Sequence, residues 1–448
     1  MGMLEEIIKE RQKKREALIK TGVNPYPAKV KRTSSISEAL KNFSSLSRLK
    51  KKVFLVGKIM AFRDQGGMIF IDLDDGSARI QAVLKKDNLK NFRSLKQNLD
   101  IGDFLNVGGP LFKTQKGEKS IEAKIVNIIV KSLRLLPSQW YGLKDIEERF
   151  RKRYLDILLN QAVKEKLIRR SEIIKTIRAK LQEERFLEVE TPIFQPVPGG
   201  ARAKPFITHH NALDTDFYLR IAPELYLKRL LVAGFNKIFE LGRNFRNEGI
   251  DKDHNPEFTM LELYWAFEDW EGLMKFTEKL FKKWFPKKFK KITFEKAMKK
   301  YAKIDLKKKI LDGAEIEEAF KKEVIPKIIE PTFIIKYPRV ISPLAKSCED
   351  DRSFTERFQL IIEGVEVVNG FSELNDPVEQ RERMEEQEKM FRAGDKEASR
   401  LDEEFLEALE YGMPPAAGLG IGIDRLVALI TKSHNIKEVI AFPTLRPK

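Results

Sequence analysis

The sequence predicts an α+β protein: a small all-β barrel followed by one large α+β domain. Two observations carry this. Five short strand-like stretches crowd into residues 52–133, and a long helical period is then followed by apolar strand-like runs interleaved with helices. A third sets the scale. A chain of 448 residues with 42% hydrophobic composition supports two or three globular cores rather than a disordered polymer.

Residues 1–48 read as a basic amphipathic helix, ended by "TGVNPYP", and a polar connector, "SSISEALKNFSSLSR", with a short helix. Residues 49–135 hold "KVFLVGKIMAF", "GGMIFIDLDD", "ARIQAVL", "DFLNVGGPLF" and "SIEAKIVNIIVKSL". Turn signals separate them at Gln65-Gly66-Gly67, Asp74-Asp75-Gly76 and Lys116-Gly117. Five strands in that span predict a closed barrel of the OB type. Arg63, Phe70, Arg79 and Gln81 offer a stacking ring, two cations and an amide, a set that suits single-stranded nucleic acid. Taken singly, each reads equally well as an ordinary surface or core residue.

Residues 136–160 bridge to the second domain, 161–448. It opens on the periodic helix "VKEKLIRRSEIIKTIRAKLQEERF" and the strand-like "LEVETPIF". A helical, lysine-rich insertion is expected at about 270–330. Its 281–310 stretch carries thirteen Lys against Glu295 and Asp305.

Lys plus Arg total 84 and Asp plus Glu 67, a net charge of +17. A polyanionic partner or a lysine-rich solvated surface both explain this. The lone Cys348 allows no intramolecular disulfide, and His209, His210, His254 and His434 show no zinc spacing. No phosphate-loop or dinucleotide fingerprint is present. The N-terminus lacks the apolar segment of a signal peptide, and no run reaches the ~18 apolar residues of a membrane span. A cytoplasmic protein without membrane contact is expected.

"FRNEGIDKDHNPEF" (245–258) lies between the strand-like "KIFELG" and "TMLELYWAF". It places Arg246, Glu248, His254 and Phe258 around one loop. "GLGIGIDR" (418–425) has glycines at every second position, a strand face open to close approach, and ends in Arg425. A nucleotide needs these types: a ring for the base, an acceptor for its amine, arginines for phosphates. A salt-bridged hairpin with a core Phe reads the same residues differently.

"FRNEG…HNPEF" resembles motif 2 of the class II aminoacyl-tRNA synthetases, "GLGIGIDR" resembles motif 3, and "KLQEERFLEVETPIF" resembles motif 1. "GGARAKPFITHHNALDTDFYLRIAPELYLKRLLVAG" and "ERFQLIIEGVEVVNGFSELNDP" are similar to the lysyl-tRNA synthetases within that class. The resemblance covers nearly the whole chain. It implies an antiparallel-sheet catalytic domain and ATP-dependent attachment of lysine to tRNA(Lys) through a lysyl-adenylate. It implies a homodimer built around motif 1, with Mg²⁺ as cofactor.

By the same resemblance, Arg246 holds the α-phosphate and the substrate carboxylate, and Glu248 accepts from the adenine amine. Phe258 stacks under the adenine, Arg425 covers its other face, and His254 lies on the loop over the triphosphate. Glu373 and Tyr264 take the ε-ammonium of lysine; Glu224 and the Gly200 carbonyl take the α-ammonium. Glu262 belongs to the same pocket, Asn369 faces the carboxylate, and Phe371 packs near the lysine stem. Phe70 stacks an anticodon base whose edges Arg63, Gln81 and Glu118 read. Glu366 is a metal ligand. Gln359 stands where the family usually has glutamate and offers a weaker neutral oxygen. Seven residues between these two is an odd offset on a strand, so a turn near Gly364 is needed to bring them to one site. Two other functions compete: lysine ligation to a protein acceptor, and a catalytically silent RNA-binding paralogue.

Overall fold

The computed structural model describes residues 2–137, 143, 145–306 and 312–447, and the chain divides into two compact units, 1–143 and 144–448. Positions 138–142 and 144 of the expected linker and 307–310 of the lysine-rich stretch lie outside the described residues.

The first unit opens with α1 (Met3–Lys20), α2 (Ile36–Lys41) and α3 (Phe43–Arg48). The connector thus holds two short helices rather than one. A capping box between Ser35 and Glu38 starts α2. The barrel strands are β1 (Lys52–Asp64), β2 (Met68–Asp74), β3 (Arg79–Lys85), β4 (Phe104–Lys113), β5 (Lys119–Glu122) and β6 (Ile125–Val130). They run in the order β1-β2-β3-β5-β4-β6, and pairing of β1 with β4 closes the sheet. Alternation does the sorting: Ile69, Ile71 and Leu73 of β2 are buried, while Phe70, Asp72 and Asp74 face outward. α4 (Phe92–Asn98), which the sequence reading passed over, buries Phe92 and Leu95 in the same core.

The fifth stretch, read as one strand, is two. Both β5 and β6 pair with β4. Gly109 of β4 makes this possible: a Cβ there would lie 1.8 Å from the Glu122 carbonyl oxygen. α1 is fastened to the barrel by polar contacts. Arg11 donates to the Ile101 carbonyl at 3.2 Å and to Ser132 Oγ at 2.8 Å, and Lys14 reaches Asp100 at 2.9 Å.

The second unit begins with α5 (Ile146–Arg151), α6 (Arg153–Leu159) and the long α7 (Gln161–Glu183). Two short strands, β7 (Leu187–Glu188) and β8 (Phe194–Gln195), follow, then β9 (Phe206–His210) and β10 (Thr215–Leu219). α8 (Glu224–Val232) precedes β11 (Lys237–Phe245) and β12 (Glu257–Ala266). The insertion supplies α9 (Trp270–Phe281), β13 (Lys290–Thr293), α10 (Phe294–Ala297) and α11 (Gly313–Ala319). Then come β14 (Thr332–Pro338), β15 (Phe354–Ile362), β16 (Val365–Ser372), α12 (Pro377–Arg392), α13 (Glu403–Glu410), β17 (Ala416–Gly422) and α14 (Ile423–Ile430).

The main sheet has the order β13-β14-β15-β16-β17-β12-β11-β7. Its six central strands are antiparallel, and both edge strands pair parallel. The insertion is therefore more than an appendage. It provides an edge strand, and α9 sends Leu273, Met274 and Phe281 into the main core. That core lies on one face of the sheet, where Leu261, Leu263, Phe358, Val368, Leu419 and Ile421 meet α7, α9 and α14.

One polar clasp joins helix and sheet within this packing. Asp424, in the first turn of α14, lies 2.5 Å from Arg170 of α7 and accepts the Thr259 N–H of β12 at 2.8 Å. Arg170 also donates to Thr259 Oγ1 at 2.9 Å. Both carboxylate oxygens are thus satisfied in a buried place. Asp424→Ala leaves the Arg170 guanidinium and the Thr259 amide without their acceptor. It is expected to lower the free energy of unfolding by about 3–5 kcal/mol, read from urea denaturation; a loss under ~1 kcal/mol would show the clasp to be incidental.

Candidate active site

The sheet's other face forms a cavity of about 330 Å³. Strand register builds its floor in rows. Arg357, Phe371, Gly418 and Tyr264 are successive cross-strand partners on β15, β16, β17 and β12. Gln359, Asn369, Gly420 and Glu262 form the next row. The alternate glycines of "GLGIGIDR" are needed because side chains from neighbouring strands fill their space. A Cβ at Gly418 would lie 2.3 Å from Glu373 Oε1 and 2.5 Å from Tyr264 Cε1; one at Gly420 would lie 2.2 Å from Met260 Cε. The strand ends at Gly422, so Arg425 sits on α14 rather than on a strand.

One end of the cavity is cationic. Arg246 follows β11 directly, and its guanidinium stands 5.1 Å from the centre of the Phe258 ring. Burial draws the Arg246 pKa down, and the nearby Glu248 opposes this. The 249–255 loop folds over the same end. Asp251 accepts the N–H groups of Asp253 and His254, both at 2.7 Å, and the His254 Nδ1 lies 2.9 Å from its second oxygen. Burial works against the Asp251 charge, but these donors win and hold its pKa below the usual value. Arg425 donates to His254 Nε2 at 2.9 Å and to the Glu366 carbonyl at 3.2 Å. A neutral imidazole with its proton on Nδ1 meets both contacts of His254. The structure thus brings Arg246, Glu248, His254, Phe258 and Arg425 around one space.

The other end is acidic. Glu224 opens α8 and lines the cavity beside Gly200, where φ is +83° and a Cβ would come 2.8 Å from Glu224 Cβ. Glu262 accepts the Tyr264 hydroxyl at 3.1 Å, and both are buried. Burial pushes the Glu262 pKa up to about 8, with the Glu224 charge adding to the rise. Glu373 is set apart. It follows β16 behind Gly418, is 1% exposed, and does not line the cavity wall. Its carboxylate faces the Lys228 ammonium of α8 at 2.5 Å. Burial pushes its pKa up to about 8 even so, with Lys228 pulling the other way.

Asn369 and Gln359 are held from behind. Arg357 donates from Nε to Asn369 Oδ1 at 2.9 Å and from Nη1 to the Ile341 carbonyl at 2.6 Å. Tyr337 donates its hydroxyl to Gln359 Oε1 at 2.8 Å. The odd offset between Gln359 and Glu366 is resolved by two features. The β15–β16 turn passes through Gly364 at φ +76°, and a bulge makes Ile361 face Glu366 instead of Val367. Ile361 shares a face with Gln359, so Glu366 is turned to that face and lines the cavity. Sequence reasoning missed Arg357, Lys228 and Asp424 as supporting groups. All three lay inside quoted stretches, but nothing in the local pattern marked them as supports for the site.

On the barrel, Arg63 pairs with Phe70 across β1–β2, and Gln81 lies opposite Asp72 on β2 and Ser120 on β5. These side chains share the outer face. Arg63 donates to Asp72 at 3.1 Å, and Gln81 Oε1 accepts the Ser120 hydroxyl at 3.1 Å. Glu118 is exposed in the β4–β5 turn beside them, where its carbonyl accepts the Thr114 N–H at 2.9 Å. Phe70 is half-buried on the outer face of β2, outside the barrel core.

Comparison with known proteins agrees with both units. The family described as tRNA synthetases class II (D, K and N) matches residues 145–446, and the OB-fold nucleic acid binding domain matches residues 53–129. The chain is 46% identical to a lysine–tRNA ligase of Carboxydothermus hydrogenoformans over 485 positions, covering 99% of each chain. It is 45% identical to one of Thermoanaerobacter pseudethanolicus, covering 99% of this chain and 97% of that one. It is 43% identical to one of Helicobacter hepaticus, covering 98% and 94%. With a family match spanning the catalytic unit and relatives similar from end to end, the chain belongs to the class II tRNA synthetases of the D, K and N group.

Proposed function

We propose that this protein is a homodimeric, cytoplasmic lysine–tRNA ligase that forms lysyl-adenylate from lysine and ATP and passes the lysyl group to tRNA(Lys). One observation carries the choice of amino acid. The cavity's acidic end holds buried Glu224 and Glu262 with Glu373 behind them, three carboxyl groups against the one ammonium of Lys228, an excess of acids suited to a ligand with two ammonium groups. An aspartate ligand needs cations there instead. The barrel favours tRNA over a protein acceptor, and the complete cationic end speaks against a silent paralogue. Among the described residues no helix is long and apolar enough to cross a membrane. The proposed dimer face is motif 1, where Leu187, Ile193 and Phe194 are exposed.

The chemistry needs position and charge, not a protein nucleophile. A lysine carboxylate oxygen bonds to the α-phosphorus of ATP as the bond to pyrophosphate breaks, and pyrophosphate leaves with that electron pair. Arg246 draws the carboxylate and the α-phosphate together. Arg425 and His254 hold the phosphate tail, and Phe258 takes the adenine with Glu248 at its amine. Asn369, fixed by Arg357, orients the carboxylate. Glu224 and the Gly200 carbonyl take the α-ammonium; Tyr264 and Glu373 take the ε-ammonium, which passes Gly418 to reach the latter. A terminal ribose hydroxyl of tRNA then attacks the acyl carbon, and AMP leaves.

The reading is tested by ATP–pyrophosphate exchange and tRNA charging. Lysine is expected to support exchange and aspartate is not; exchange with aspartate alone would refute the assignment. In the same assays Phe70→Ala is expected to weaken charging by about 1–3 kcal/mol, one lost base-stacking platform, while exchange is kept. Equal loss in both would make Phe70 a folding residue.

Proton linkage gives a second test. Glu262 and Glu373 titrate near 8 in the ligand-free pocket, above their ordinary values, so the folded protein carries extra protons there below that pH. Ionising them withdraws stability as pH rises toward 8. An arriving ammonium favours the ionised acids, so lysine binding is expected to release protons at pH 7 and to tighten between pH 6 and about 8. Calorimetry in buffers of different ionisation enthalpy reads this directly; no proton release would contradict it.

The donor set fits a magnesium ion that arrives with substrate oxygens. Glu366 lines the cavity, and Gln359 Oε1 keeps a lone pair beyond the Tyr337 hydrogen bond. Among the described residues no group of three His, Cys, Asp or Glu side chains could hold an ion alone. When bound, the ion supplies further neutralisation of the phosphate oxygens. Gln359→Glu adds a charged ligand and is expected to lower the Mg²⁺ concentration at half-maximal exchange. An unmoved midpoint would show that position 359 does not touch the ion.

A further inference from the structure

Lys228 is fully buried in α8, one helical turn beyond Glu224. Its ammonium donates to Glu224 Oε1 at 2.7 Å and stands 2.5 Å from Glu373 Oε2. The second contact is a short ion pair, and among the described residues Glu373 has no side-chain donor besides Lys228. The Nζ also lies 5.5 Å from the centre of the Phe371 ring. Stability alone does not account for an ammonium placed between two buried carboxylates, because well-packed apolar groups usually serve as well or better.

Resting on the lysine reading above, we propose that Lys228 is a positioning residue for amino-acid specificity. Its ammonium fixes Glu224 of α8 and Glu373 beyond β16 at one spacing. The pocket then presents two carboxylates at a set spacing, which an arriving ligand with two ammonium groups ionises and pairs. The charge count agrees: three carboxylates, Glu224, Glu262 and Glu373, less one ammonium leave a surplus of two negative charges when all are ionised. The titratable groups around Glu373 are Lys228 and Glu224 from α8 and Glu262 and Tyr264 from β12; β17 brings only the Gly418 backbone. Of these, Lys228 is the group that opposes protonation of Glu373. Its own charge is secure, since burial works against it but the two glutamates outweigh that and raise its pKa.

The test is Lys228→Met in the full chain, which keeps the stem and removes the charge. Lysine and ATP are titrated separately by calorimetry from pH 6.5 to 8.5, beside a thermal melt. Lysine affinity at pH 7 is expected to fall at least tenfold, and the pH at which it recovers to move upward. ATP affinity should stay within twofold and the melt near that of the parent. Lysine affinity and pH profile like the parent's would overturn the proposal, as would parallel loss of both affinities with a lowered melt. Should the Met variant not fold, Lys228→Arg decides. It keeps the charge but spreads it over a wider, planar group, so lysine affinity should fall about fivefold or more with the pH profile unmoved. Unchanged affinity, or failure of both variants to fold, assigns Lys228 a purely structural role. If the parent itself does not bind lysine, the reading of the pocket has failed rather than that of Lys228.

Discussion

The site depends first on the Asp424 carboxylate. Its two oxygens hold Arg170 of the long helix and the Thr259 amide of the adjoining strand, although Arg170 and Asp424 are 254 positions apart in the chain. That closure sets α7, β12 and α14 against one another. Phe258 precedes Thr259 on β12, and Arg425 follows Asp424 on α14. A single buried carboxylate therefore fixes the ring and one of the arginines at the cationic end. Asp424 and Thr259 themselves border the cavity, so the constraint acts directly beside the residues it positions.

The cavity is organised by charge along the sheet. Arginines and the histidine loop hold one end, and buried glutamates hold the other, with glycines between. Gly418 and Gly420 leave room that Glu373, Tyr264 and Met260 occupy, so side chains from the neighbouring elements reach beneath the strand. Burial, with the neighbouring Glu224 charge adding to it, pushes the Glu262 and Glu373 pKa values up to about 8. Binding energy from a dication is spent in part on ionising them. Specificity follows from the same fact, because a ligand lacking the second ammonium leaves buried acids uncompensated.

Much of this was legible in the sequence, for identifiable reasons. Strict alternation in "MIFIDLD" sorted barrel core from barrel surface and left Phe70 outside. The 245–258 and 418–425 stretches named their own functional residues because those residues cluster in the chain. Other features depend on contacts the linear pattern does not carry. The break between β5 and β6 follows from a close approach at Gly109. The common face of Gln359 and Glu366 follows from a bulge that only strand pairing reveals. Lys228 reads locally as an ordinary i,i+4 partner of Glu224; its contact with Glu373 joins elements 145 positions apart (373 − 228). α4 was missed because it is short and its two buried residues give little periodicity.

The central claim is that buried negative charge behind Gly418 chooses the amino acid. The most direct measurement is the affinity of the ligand-free protein for lysine against norleucine, which keeps the stem and lacks the ε-ammonium, at pH 8 by calorimetry. On this account lysine binds at least a hundredfold more tightly. Norleucine binding within a few-fold of lysine would contradict it.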